Sequence, residues 1–424
     1  GYTVTASSGT LTSAVSTPFD VTTGTGSHLA FLTNPGGGPA GMPFATQPVV
    51  AVTDAGGNGV GGLVTLSIKP GTGAPGATLT CAATTVAASA GAASFTGCAI
   101  DRVSPTPYVL QATLGSVTAD SSGFDVTTGG PDSVAFRTEP GDGAGGTPLV
   151  TQPTLSVRDA GGNAAAGAVT LALAAGFGTP GATLTCAGGT TTSSVEGIAT
   201  FSGCRVDKAG AGYRLRATIE GSVAADTSAS FDVKVGSATH LAFTAAPGAT
   251  GNTGGVPWSV QPAVAVQDAG GNLVAASTAT IDLSVAGGPG AVHCTADPQA
   301  AVRGMAFFNG CSIDRAGTAY RLTASAPGLE PATTAPFDIA VGAPANLVFT
   351  TQPSAGVTGQ ALRGQPVVAV VDAGGNPVPA AGGTVHVTVT PGTGSLGATL
   401  SCGGSAVDGR GIASFAGCAV SGAG

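Results

Sequence analysis

The sequence predicts an all-β protein built as a tandem array of β-sandwich modules, and three observations carry that expectation. The pentapeptide Asp-Ala-Gly-Gly-Asn occurs four times, at Asp54–Asn58, Asp159–Asn163, Asp268–Asn272 and Asp372–Asn376, at intervals of 104 to 109 residues. A fixed period marks repeated units, here each the size of a small domain. Every copy lies between short apolar alternations, such as Val50 and Val52 before it and Leu63 to Ile68 after it. Asp, Asn and Gly accept tight-turn geometry, so the motif is a turn joining two strands. Composition points the same way: 8% of residues are charged, 5% are aromatic and 71 are Gly. A core must then come from Val, Leu, Ala and Thr, which favours strands over helices.

The strands are clearest between Ser27 and Gly129. His28 to Thr33 alternates and stops at Asn34-Pro35. Gln47 to Thr53 runs into the Asp54 turn, and Leu63 to Ile68 ends at Pro70-Gly71. Ala77 to Cys81, Ala93 to Ile100 and Tyr108 to Leu114 follow, and Ser116 to Thr127 closes the unit with a bend near Gly123. Seven short antiparallel strands with frequent turn signals predict an immunoglobulin-like sandwich. Phe95, Phe201, Phe308 and Phe415 each stand three residues before a Cys. Strict alternation puts Phe and Cys on opposite faces, so a bulge is expected at Gly97, Gly203, Gly310 and Gly417. Tyr2, Tyr108, Tyr213 and Tyr320 open a recurring Tyr-x-[Leu/Val]-x-Ala strand. A tyrosine corner, its hydroxyl bonded back to the main chain, fits that position; a ring packed on a sheet edge fits it equally. Phe19, Phe124, Phe231 and Phe337 end each repeat and are expected to be buried.

The eight cysteines fall as Cys81/Cys98, Cys186/Cys204, Cys294/Cys311 and Cys402/Cys418, one pair per repeat. A zinc site wants closer pairs or neighbouring His, and neither recurs, so one disulfide per module is expected. Closing loops of this length stabilises a module by about 3 kcal/mol in the chain-entropy picture. Disulfides imply an oxidising compartment, hence an extracellular or cell-surface location.

Five segments follow. Residues 1–25 hold only the last two strands of a sandwich; 26–129, 130–235 and 236–341 are whole modules; 342–424 holds the first five strands. The linkers are short and lack a long flexible Gly/Ser run, so a stiff rod is expected, each module adding on the order of 40 Å. The two part-modules each need a neighbour. Either the array continues covalently, or the N-terminal strands of one subunit complete the last module of another, by donor-strand complementation.

The stretch Val368 to Pro379 and the Thr-Val-His-Val-Thr-Val after it resemble bacterial Ig-like (Big) domains. So do Gly197 to Phe201, Gly411 to Phe415, Ala209 to Leu215 and Ala316 to Leu322. The resemblance covers essentially the whole chain. It implies the stalks, spacers and fibres of invasin- and intimin-like surface proteins and giant repetitive adhesins, whose binding tips are often separate domains. The cysteine pair departs from the plain invasin pattern.

Chemistry is sparse. His28, His240, His293 and His386 form no recurring cluster. Asp54, Asp159, Asp268 and Asp372 are structural turn residues rather than calcium ligands, because such sites gather several carboxylates. No nucleophile–base set, carboxylate pair or phosphate loop stands out, so no enzyme and no cofactor is expected. The net charge of −8 with no basic run argues against nucleic acid, and no apolar stretch is long enough to span a membrane. The expected function is a non-catalytic structural segment of an extracellular filament or adhesin stalk, whose partners are further copies of the repeat. The alternative is a module that binds a glycan or surface protein, for which an exposed Trp258, the only Trp, would be the anchor.

Overall fold

The computed structural model describes residues 1–422, and every regular element among them is a β-strand. The chain forms two compact units. One comprises residues 1–143, 148–206 and 210–233; the other takes residues 144–147, 207–209 and 234 onward. Each unit holds two hydrophobic cores.

Residues 28–127 show how the sequence builds a sandwich. His28–Thr33, Val49–Thr53 and Ala92–Ser94 form one antiparallel sheet in that order. The facing sheet runs Val117–Asp120, Leu110–Leu114, Leu63–Ile68, Thr85–Ala87. Period-two alternation sends Val50, Val52, Val64 and Leu66 into the core, where they meet Leu110 and Ala112. Two short pairs close the sandwich: Leu79–Thr80 with Ala99–Ile100, antiparallel, and Gly38–Pro39 with Val126–Thr127, parallel. The same order recurs at Ser133–Thr138, Thr154–Arg158 and Ile198–Thr200, which face Ala225–Thr227, Leu215–Ile219, Ala168–Leu173 and Thr191–Ser193. Two such facing sheets, with the chain crossing between them, make an immunoglobulin-like sandwich.

Cys81–Cys98, Cys186–Cys204, Cys294–Cys311 and Cys402–Cys418 are all disulfide-bonded. Each bond continues a short antiparallel pair, such as Leu79–Thr80 with Ala99–Ile100. It therefore clips adjacent chain segments rather than the two facing sheets.

Three strand expectations are refined in detail. Phe95 and Cys98 are both buried, and Gly97, at φ 63°, is bulged as expected: Thr80 faces Ala99 while Ala82 N donates to Thr96 O, so Gly97 and Cys98 together stand opposite Cys81. Gly97 is also where the chain changes partner: Ala92–Ser94 pairs with Val49–Thr53, and Ala99–Ile100 pairs with Leu79–Thr80. Gly203 and Gly310, also at positive φ, occupy matching positions, and Gly417 lies within Ala416–Val420, where Ser401 faces Ala419 and Gly403 faces Ala416, the register shift of the expected bulge. The closing strand divides likewise, Val117–Asp120 staying in its sheet and Val126–Thr127 crossing to Gly38–Pro39. Finally, residues 384–389 alternate as Leu63–Ile68 does, yet only Thr384 makes a bridge, to Ala406. A strand needs a neighbour, and nothing among the described residues lies where Leu110–Leu114 lies beside Leu63–Ile68.

Candidate functional site

The recurring Tyr sits at the centre of each completed sandwich. Tyr108, Tyr213 and Tyr320 are fully buried. The hydroxyl of Tyr108 donates to the carbonyl of Arg102 at 2.8 Å, and that of Tyr320 to Arg315 at 2.9 Å. Both the corner bond and core packing therefore operate. Tyr108 packs on Phe124 at 6.2 Å between centroids, and Phe124 meets Phe44 edge-on at 5.1 Å. Gly73 lies under the ring, where an added Cβ would fall 2.0 Å from Tyr108; Gly178 and Gly288 stand in the same relation to Tyr213 and Tyr320. Tyr2 differs, being 62% exposed.

The Asp-Ala-Gly-Gly-Asn turn closes locally as its residues require. Asp159 N donates to the carbonyl of Asn163, and the Asp159 carboxylate accepts from Gly161 N and Asn163 N. Its second role was not visible in the sequence. Within the first unit, Asn163 Nδ2 donates 2.8 Å to the carbonyl of Asp101, in the preceding sandwich, and its Oδ1 accepts from Val103 N at 3.2 Å. Asp159 also accepts from Gly129 N of the linker at 3.0 Å. The two backbones touch: a Cβ on Gly161 would lie 2.1 Å from the Asp101 carbonyl, and one on Gly41 would lie 2.4 Å from Ala160. Only glycine fits so close an approach.

Within the second unit the clasp occurs twice more. Asn272 donates to Asp207 O and accepts from Ala209 N, while Asn376 donates to Asp314 O and accepts from Ala316 N. Asp268 and Asp372 accept from Gly236 N and Gly342 N. Asp54 and Asn58 form the same turn, and Asp54 holds Gly24 N at 2.8 Å, but Asn58 is exposed and its amide reaches only Asp54.

The carboxylates are fully engaged by N–H donors. The Gly24 N–H, then the Asn58 side chain and backbone, pull the Asp54 carboxyl down to about 2. At Asp372 burial works against ionisation, but the N–H groups of Gly342, Asn376 and Gly374 outweigh it and the pKa is lowered. Acceptors surrounded by N–H groups present no oxygen cage to a cation. No metal-suited cluster of His, Cys, Asp or Glu occurs among the described residues.

A residue the sequence reading passed over is Gln47, with Gln152, Gln261 and Gln365. Each amide donates to the carbonyl of the residue three before it and accepts from the backbone N of the buried Cys, at 2.7 Å in all four sandwiches. The signal was a Gln-Pro pair at the same period as the turns. Trp258 is a correction: it is 4% exposed and packs edge-on against Phe337 at 5.6 Å. It fills the place of Phe44 and cannot anchor a ligand.

Fold and turns together define a class: tandem immunoglobulin-like sandwiches, each carrying a copy of the same turn. No protein family and no curated protein sequence matches the chain. Solved structures to which the chain shows similarity include the Escherichia coli adhesin FdeC, 18% identical at TM-score 0.30, covering 76% of this chain and 100% of that one. Surface-layer protein SbsC domains 4–9 are 13% identical at TM-score 0.22, with 78% and 50% covered. The tandem Ig repeats of Dlar are 11% identical at TM-score 0.15, with 49% and 98% covered. Likenesses this distant bear on neither activity nor partner.

Proposed function

We propose that this chain is a non-catalytic structural segment of an extracellular filament or cell-surface stalk, built from Ig-like modules of the bacterial kind its turn motif resembles. The observation that carries this is the thrice-repeated clasp. Asn163, Asn272 and Asn376 each spend both polar atoms of the amide on backbone groups 60 to 65 residues upstream. A motif kept at every repeat serves the succession of modules rather than a substrate. One disulfide per sandwich supports a location outside the reducing cytosol. The ligand-binding alternative rested on Trp258 and loses that support with its burial.

The test is the thiol state of native material. Alkylation before and after reduction, followed by mass spectrometry, should find all eight cysteines blocked until reduced. Free thiols at most of these positions would remove the extracellular assignment.

A further inference from the structure

Two Asn residues of this chain are followed by Gly, at Asn58-Gly59 and Asn309-Gly310. We propose that Asn309 is a site of spontaneous deamidation in the folded protein, and that the fold protects Asn58 from the same reaction. This goes beyond the structural role proposed above, which stands whether or not Asn309 reacts.

The chemistry needs no enzyme and no reagent but water. The backbone N of the following residue loses its proton and attacks the Asn Cγ. The N–Cγ bond forms as Cγ–Nδ2 breaks, ammonia leaves, and a five-membered cyclic imide remains. Water then opens the imide at either carbonyl, giving Asp or isoaspartate. Glycine is the most permissive residue at the attacking position, because it has no side chain to crowd the ring and accepts a wide range of backbone angles. The fold sets two further conditions. The attacking N–H must be free of a hydrogen bond, and the Asn amide must be free to turn onto it.

The first condition holds at both pairs, since neither Gly59 N nor Gly310 N donates a hydrogen bond among the described residues. The second separates them. Asn58 Nδ2 donates to both oxygens of the Asp54 carboxylate, at 3.2 and 3.1 Å, and Asn58 N donates to Asp54 Oδ1 at 2.8 Å. To react, the Asn58 side chain must first leave that carboxylate. Asn309 has no such hold: it is exposed, and its side chain makes no hydrogen bond among the described residues. Bonds to a charged group are strong enough to slow Asn58 by about 10- to 100-fold against Asn309.

The third sandwich also keeps Asn309 presented. Phe308 N donates to Pro262 O at 3.0 Å, Thr295 N to the Asn309 carbonyl at 2.9 Å, and Cys311 N to Gln261 Oε1 at 2.7 Å. The main chain is thus pinned on both sides of the pair. Phe308 and Cys311 are buried, while Asn309 and Gly310 are exposed. The same position holds Thr96, Ser202 and Ala416 in the other sandwiches, so the reactive amide occurs at this bend in one repeat alone. Either product adds a negative charge there. Isoaspartate also adds a main-chain carbon between two buried residues, one of them in the Cys294–Cys311 disulfide.

The experiment is to age the oxidised full chain at physiological temperature and mildly alkaline pH. Reduction, proteolysis and mass spectrometry then give the acid fraction at each Asn over time; the tryptic peptide from Gly304 to Arg315 carries Asn309. In the folded chain Asn309 is expected to convert about 10- to 100-fold faster than Asn58. The chain reduced and unfolded in urea should lose most of that gap, because the Asp54 turn is gone. Asp54→Ala, once its near-ultraviolet circular dichroism is shown to match wild type, should raise the Asn58 rate. Equal rates at the two sites in the folded chain, a gap of the same size after unfolding, or an Asn58 rate unmoved by Asp54→Ala would overturn the inference. So would an Asn309 that stays intact in the folded chain and converts only when unfolded. Any of these failures would leave the thiol test of the structural role untouched.

Discussion

The hairpins at residues 2–21 and 108–126 share a sequence pattern and a set of backbone bonds, and they differ in what covers them. Tyr108 is 0% exposed and Tyr2 is 62% exposed. The hairpin conformation is therefore local, fixed by the Tyr–Phe bridge and the Ser hydroxyl, whereas stability comes from apolar side chains reaching a core. Residues 63–68 and 384–389 teach the converse: equal alternation yields a six-residue strand in one place and a single bridge in the other. Apolar period alone does not make a strand; the neighbour does.

The largest effect should separate the two tyrosines. Tyr108→Ala empties the centre of a core and is expected to cost about 3–5 kcal/mol in that sandwich, as large aromatic truncations do. Tyr2→Ala should cost less than about 0.5 kcal/mol in the single chain. Denaturant unfolding followed by tyrosine fluorescence would read both. Equal losses would mean that the N-terminal hairpin already packs on something in the isolated chain.

Next in size is reduction of the disulfides. Each closes a loop of 16 to 18 residues, so about 3 kcal/mol per sandwich is at stake, or on the order of 10–20 °C. The core cluster of the sandwich at 344–422 holds six buried residues among those described, against 16 or 17 in each of the others, and this sandwich should melt first once Cys402–Cys418 is reduced. Calorimetry with and without dithiothreitol should show every transition lowered and this one lowest. An unchanged melting profile would mean that the bonds constrain nothing the native fold does not already hold.

The joints come third. Asn163→Ala removes two bonds to the preceding sandwich and should cost about 1–2 kcal/mol locally. It should also speed hydrogen exchange at the Val103 amide, which donates to Asn163 Oδ1. Asn58→Ala in the single chain should change exchange only within its own turn. If Val103 stayed equally protected in the Asn163 variant, packing of Gly41 on Ala160 would be holding the joint without the amide.

The period, the strand alternation and the cysteine pairing were legible because each depends on near neighbours in sequence. The turn at Asp159–Asn163 was readable as a turn for the same reason. Its reach to Asp101 was not, because that contact spans 62 residues and uses a backbone carbonyl, which carries no side-chain signature. Gln47 escaped for a similar reason: it bonds only main-chain atoms. Trp258 misled because a rare aromatic suggests a ligand, while its position in the repeat, shared with Phe44, was the better guide. The change of partner at Gly97 was missed because one continuous stretch, Ala93 to Ile100, serves two different sheets.

The smallest expected effect is also the most local, and it tests whether Asp and Asn in the turn have separate duties. Among the described residues no complete sandwich stands upstream of Asp54, whereas one stands upstream of Asp372, yet both carboxyls are lowered, because their donors are the linker Gly and their own turn. A depressed carboxyl contributes its stabilisation in full above the unfolded value of ~4 and loses it as the pH falls through the folded value. For Asp54 that window runs from about 4 down to about 2. In it the Gly24 amide should shift in NMR spectra with the Asp54 carboxyl, while the core Tyr resonances stay fixed. Asn163→Ala should leave the titration of Asp54 unmoved. If Asp54 titrated near ~4, the ordinary range, the linker would not be held by this carboxylate, and the amide alone would have to set how one module follows another.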